Sequence, residues 1–150
     1  MDNIKIIDDA NQYIVITMGD EQFGIDIKYI NNIVKMQHIT RVPNVASHIK
    51  GVINLRGEVL PVMSLRLKMG LEDAAETKAS RIIILKLEQM GMLGIIVDEV
   101  KEVLTFNDED VEKKGVGEKQ EDKDAFVFGV GKYGESLVSL LDVNAVVTFE

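Results

Sequence analysis

The chain has 150 residues, 46% of them hydrophobic and 28% charged, with 25 acidic against 17 basic residues and a net charge of -8. That length suits one globular domain, or two small units sharing a core. The acidic balance argues against a nucleic-acid partner and against anionic membrane surfaces, both of which need clustered Lys and Arg.

There is no cysteine, so disulfides, thiolate metal sites and Cys nucleophiles are absent together. The start, Met1 to Asp9, is acidic where a signal peptide is basic. The longest apolar stretch, around Met92 to Val97, is too short to span a bilayer. The expectation is a cytoplasmic protein with no membrane insertion of its own.

Taken in order, Tyr13 to Met18 is β-branched and apolar, Gly19 to Gln22 is a polar turn, and Phe23 to Ile27 alternates. That pattern predicts a hairpin. Ile27, Ile30, Ile33 and Val34 then fall on one face of a short helix, predicted over 28–36. Val42-Pro43-Asn44 breaks it. Residues 51–65 form a second hairpin, whose glycine-bracketed tip presents Asn54 and Arg56. Residues 71–80 are small and acidic and read as a linker.

The second half repeats this order. Ile82 to Leu87 and Leu93 to Val97 make a hairpin. Val97, Val100, Val103 and Leu104 suggest another amphipathic helical piece. Asn107 to Asp124 holds eight acids and four Lys and reads as a solvated loop. Phe126 to Val130 and Leu137 to Leu141 make the last hairpin, and Asp142 can cap a short helix over 143–147. The duplicated unit predicts an all-β fold with short helices, built as two stacked small barrels. Their approximate subdomains are 13–70 and 80–140 of one domain over 1–150, with 141–150 packing back on the first.

Catalytic and metal chemistry find little support. Gly129-Val130-Gly131-Lys132-Tyr133-Gly134 matches G-x-G-x-x-G, but a strand-like segment follows where a dinucleotide site needs a helix. A calcium loop starting at Asp108 would need Gly where Lys113 stands. His38 and His48 belong to no nucleophile or metal constellation and read as surface or loop residues. Asp8-Asp9 and Asp20-Glu21 are turn formers. No catalytic residue, metal or cofactor is expected. The rival reading is a small-ligand or enzymatic barrel using the Gly-rich turns.

Several segments in order carry a resemblance. They are Gly19 to Ile27, Ile39-Thr40-Arg41-Val42-Pro43, Gly51-Val52-Ile53-Asn54-Leu55-Arg56-Gly57-Glu58-Val59-Leu60-Pro61-Val62, Val97 to Leu104, and Leu140-Leu141-Asp142-Val143. Together they resemble the CheW-like coupling proteins of bacterial chemotaxis over roughly Tyr13 to Val147. The resemblance implies two five-stranded SH3-like barrels sharing a hydrophobic core. It implies a non-catalytic adaptor joining the cytoplasmic tips of methyl-accepting chemoreceptors to the regulatory domain of the histidine kinase CheA, recruited to membrane arrays through them. The same module occurs as that regulatory domain and, fused to a receiver, in CheV; the lack of a further domain favours a stand-alone adaptor. The implied partner-binding residues are Asn54, Leu55, Arg56 and Gly57 at the tip. A groove between the barrels is expected from Ile30, Asn32, Ile33, Val97 and Val100. Two departures stand out: many relatives have an acidic residue where Asn32 stands, and Val-Asp-Leu where Met63-Ser64-Leu65 stands.

Overall fold

The computed structural model describes residues 11–113 and 125–147. Hairpin β1 (Asn11–Met18) and β2 (Glu21–Asp26) leads through a 3-10 turn at Ile27–Tyr29 into β3 (Ile30–Lys35). A long loop precedes hairpin β4 (Ile49–Leu55) and β5 (Glu58–Ser64), closed by helix α1 (Leu65–Lys68). The second half follows with β6 (Arg81–Leu87), β7 (Gly91–Val97), β8 (Glu99–Phe106), the short β9 (Val111–Lys113), β10 (Val127–Tyr133), β11 (Ser136–Leu141) and helix α2 (Val143–Val146). The fold is all-β with short helices: two stacked SH3-like barrels on a shared core.

One sheet runs β8-β1-β2-β11-β10-β9 and the other β3-β6-β7-β5-β4. Exchanging β1, β2, β3, β4, β5 for β6, β7, β8, β10, β11 turns five strands of the first order into the second. The duplication is therefore real, but each half lends its first hairpin to the other half's sheet. The division into barrels at 13–70 and 80–140 is corrected on this point. The cause is local. One residue, Asp98, separates β7 from β8, too few for even a two-residue hairpin loop. The chain must leave its sheet there. After β2 the 3-10 turn, capped by Asp26 accepting from the Lys28 N–H at 3.0 Å, has the same effect.

Both predicted helical pieces are strands. β3 pairs with β6 and shifts register between Ile30 and Asn32. β8 pairs with β1 and shifts register where Ile16 meets Val100 and Val15 meets Glu102. A bulge adds a residue and breaks the alternation of two, so apolar spacing drifts to three and four and imitates a helix. The acidic run is also corrected at its start: Asp108–Asp110 is a 3-10 turn and β9 adds a sixth strand to the first sheet. Residues 114–124 lie outside the described part.

Three apolar clusters follow from this layout. Tyr13, Val15, Leu104, Phe106, Val138 and Leu140 fill one barrel. Ile53, Leu60, Val62, Ile82 and Ile84 fill the other. Ile16, Phe23, Ile25, Ile83, Leu85 and Ile95 join Val143, Val146 and Val147 in the cluster between them. β1 and β6 are thus buried on both faces, which explains their unbroken apolar runs.

Candidate partner-binding site

Leu55 pairs with Glu58 across the β4–β5 hairpin, leaving Arg56 and Gly57 as its two-residue loop. Their φ values are 56° and 85°. Positive φ at both positions marks a type I′ turn, whose twist matches that of the strands. Asn54 Oδ1 accepts the Gly57 N–H at 2.9 Å and locks the loop. Arg56 is exposed at the apex with no carboxylate partner among the described residues. Half-buried Leu55 packs against the interior cluster of its barrel and anchors the tip.

The expected groove residues part company. Ile30, Ile33 and Val100 are half-buried and pack against the shared cluster from the sheet edges β3 and β8. Asn32 sits beside the β3 bulge, its Oδ1 buried without a hydrogen-bond partner. Val97 is fully buried. It is a core residue beneath the seam, and the expectation that it faces a partner is corrected, because β7 is an interior strand. His48 lies in the turn before β4, a loop residue as expected but not a surface one: it is 7% exposed, its Nε2 is buried without a partner, and burial followed by the Lys68 charge pushes its pKa below the usual value.

Sequence reading missed the contact that joins the barrels. Asp98, at the β7–β8 crossover, takes Arg66 Nε at 2.9 Å and Nη2 at 2.8 Å. It also accepts the Gly19 N–H of the β1–β2 turn at 2.9 Å. Arg66 Nη1 donates onward to the Glu72 carbonyl at 2.9 Å. Burial raises the Asp98 pKa, but the Arg66 and Gly19 hydrogen bonds outweigh it and hold the carboxyl below its usual range. The Asp98 hydrogen bond pushes Arg66 up in turn.

A model of the CheW-like domain matches residues 12–150. The chain belongs to the CheW-like family. It is 34% identical to the chemotaxis protein CheW of Helicobacter pylori, over 90% of this chain and 80% of that one. It is 35% identical to the chemotaxis protein CheW of Bacillus subtilis, over 94% and 89%. The crystal structure of the scaffolding protein TtCheW from Thermoanaerobacter tengcongensis superposes with a TM-score of 0.79 at 31% identity, covering 88% of each chain. The chain is a chemotaxis adaptor of this CheW-like type.

The Ser64 departure is explained locally. Ser64 Oγ accepts the Leu67 N–H at 3.2 Å and caps α1. Asp142 Oδ1 caps α2 at the equivalent place in the other half, accepting from Ala145 at 3.3 Å. Ser and Asp are interchangeable caps. Among the described residues no group of three His, Cys, Asp or Glu could hold a metal ion, and no helix is long and apolar enough to cross a membrane.

Proposed function

We propose that this chain couples methyl-accepting chemoreceptors to the regulatory domain of the histidine kinase CheA by surface contact alone, without a catalytic step. It works in the cytoplasm, at receptor arrays. The observation that carries the reading is Arg56. It is held at a hairpin apex by Asn54 and Gly57, with no carboxylate partner among the described residues and its anchor Leu55 half-buried below. Arginine displayed in this way is a common interface hot spot. The half-buried apolar residues Ile30, Ile33 and Val100 on the sheet edges β3 and β8 supply a second surface. Chemoreceptor tips are helical hairpins, and an apolar groove between packed elements suits a helix.

The test is co-sedimentation of the chain with a receptor cytoplasmic fragment and the CheA regulatory domain. Wild type should bring the two into one complex, and Arg56→Asp should fold normally yet bind about tenfold or more weakly. A chain that sediments with neither fragment would end the adaptor reading.

A further inference from the structure

His48 occupies a place where an imidazole can be neutral but not charged. Its side chain is enclosed where the loop before β4 turns into the strand, and Nε2 has no hydrogen-bond partner. Its carbonyl accepts the Ser64 N–H at 2.7 Å and continues the β4–β5 ladder to the foot of α1.

The charges on the elements around it are almost all of one sign. Its own loop carries His38 and Arg41, β4 carries Lys50, and α1 carries Arg66 and Lys68. Lys68 already presses on the imidazole. The one acid of β5, Glu58, stands at the far end of that strand beside the Arg56 tip. Asp73 is taken by Lys50 at 2.7 Å and Asp98 by Arg66 at 2.8 Å. A proton added at His48 therefore meets no free carboxylate on these elements and, at Nε2, no acceptor. A buried charge without a partner is costly, and water relieves it only if the site opens.

A short chain of bonds sets what would open. Ser64, tied by its N–H to His48, caps α1 through Oγ, which accepts the Leu67 N–H at 3.2 Å. α1 carries Arg66, whose guanidinium holds Asp98 across the two barrels. Asp98 in turn holds the Gly19 N–H at 2.9 Å. One four-residue helix thus links His48 to the joint between the barrels.

We infer that His48 is a proton switch: in acid the loop before β4 parts from α1 and loosens the Arg66–Asp98 clasp between the barrels, while at neutral pH the uncharged imidazole keeps the clasp shut. The depressed pKa of His48 gives the sign. The open form, with its imidazole in water, takes up the proton at about pH 6.5, and the closed form only lower. Closure is therefore complete above about pH 6.5 and weakens as pH falls. One proton taken up on opening shifts the equilibrium about tenfold per pH unit, until the closed form itself titrates. Asp98 keeps its charge in this range, because its pKa lies below the usual carboxylate value. The switch is a property of the free chain and stands or falls apart from the adaptor reading.

The experiment is residue-resolved amide hydrogen exchange on the full chain between about pH 7.5 and 5, corrected for intrinsic rates. The Ser64, Leu67 and Gly19 N–H groups report the successive links. Ile83 and Ile95, paired in the shared core, report global opening. In wild type the protection of the three reporters should fall about tenfold per pH unit below about 6.5 while Ile83 and Ile95 hold. His48→Gln should abolish that dependence. Lys68→Gln, which leaves the imidazole in place, should reduce it. The switch is overturned if His48→Gln keeps the wild-type dependence, or if Ile83 and Ile95 fall in step with the reporters. It is equally overturned if Ser64 responds while Leu67 and Gly19 do not. If His48→Gln does not fold, Lys68→Gln decides, and an undiminished dependence there removes the switch.

Discussion

Arg66 and Asp98 meet at 2.8 Å across the junction of the two barrels, with side chains 21% and 31% exposed. Arg66 belongs to α1, which follows β5; Asp98 marks the crossover into the other barrel and also holds the Gly19 turn. Asp98→Asn removes the charge and leaves the guanidinium with the Glu72 carbonyl. Charge-assisted hydrogen bonds of this kind are worth roughly 1–3 kcal/mol, and urea unfolding should show a loss of that order. Because the folded pKa of Asp98 is depressed, its contribution is present above the ordinary carboxylate pKa and is lost as pH falls through the folded value. The variant should therefore lose less stability than wild type on acidification below about pH 4.

Gly24 and Gly94 occupy equivalent places where parallel strands join the halves: Gly24 pairs with Leu140 and Gly94 with Val62. A Cβ on Gly94 would lie 2.8 Å from Ile82 Cγ2 and 3.3 Å from Val62 Cγ2. On Gly24 it would lie 2.9 Å from Leu140 Cδ2. Overpacking a tight core costs about 1–3 kcal/mol. Gly94→Ala and Gly24→Ala should each lower the urea midpoint by a corresponding amount, and a neutral outcome for both would contradict this close approach.

Much of this was legible in the sequence. The hairpins showed through period-two apolar runs and turn glycines, the Asp142 cap through its position before Val143, and the Arg56 tip through Asn54 and Gly57. β3 and β8 were hidden because each carries a bulge that shifts its phase at Asn31 or Lys101. The exchange of hairpins was hidden because it depends on where the chain crosses between sheets, not on any strand's own pattern. Arg66 and Asp98 stand 32 residues apart, and neither neighbourhood signals the other.

His48 is buried with Nε2 unpartnered, and its pKa is depressed, first by burial and then by Lys68. The unfolded chain therefore takes up the proton more readily than the folded one. The stability of the neutral form is present above about pH 6.5 and is lost as pH falls through the folded value. The melting temperature should drop between about pH 7.5 and 5, and His48→Gln should flatten that decline. An identical slope in the variant would assign it to other groups.

Ile33 and Val97 separate seam from core. Ile33 is half-buried against the shared cluster and pairs with Ile83 at a sheet edge, while Val97 is fully enclosed. Ile33→Ala should cost about 1–2 kcal/mol of stability, below the range of a fully buried truncation, and also weaken the receptor fragment. Val97→Ala should only destabilise. Binding per folded molecule decides the matter: if Ile33→Ala leaves it unchanged, Ile33 is core alone.

Arg56 sits where its own turn would prefer another residue. The first position of a type I′ loop favours Asn or Gly, whose side chains tolerate positive φ. An arginine at φ 56° accepts roughly 1–2 kcal/mol of backbone strain. Strained residues persist where surrounding structure holds them, often at sites of function; here the Asn54 to Gly57 hydrogen bond and the β4–β5 pairs do so. Arg56→Asn should relieve part of that strain and raise stability by about 0.5–1 kcal/mol, while removing the displayed cation. Stability and partner affinity should therefore move in opposite directions. Thermal unfolding and fragment titration on the same preparation check this. A variant that is more stable and binds both fragments as wild type would show that the arginine serves neither the turn nor the interface.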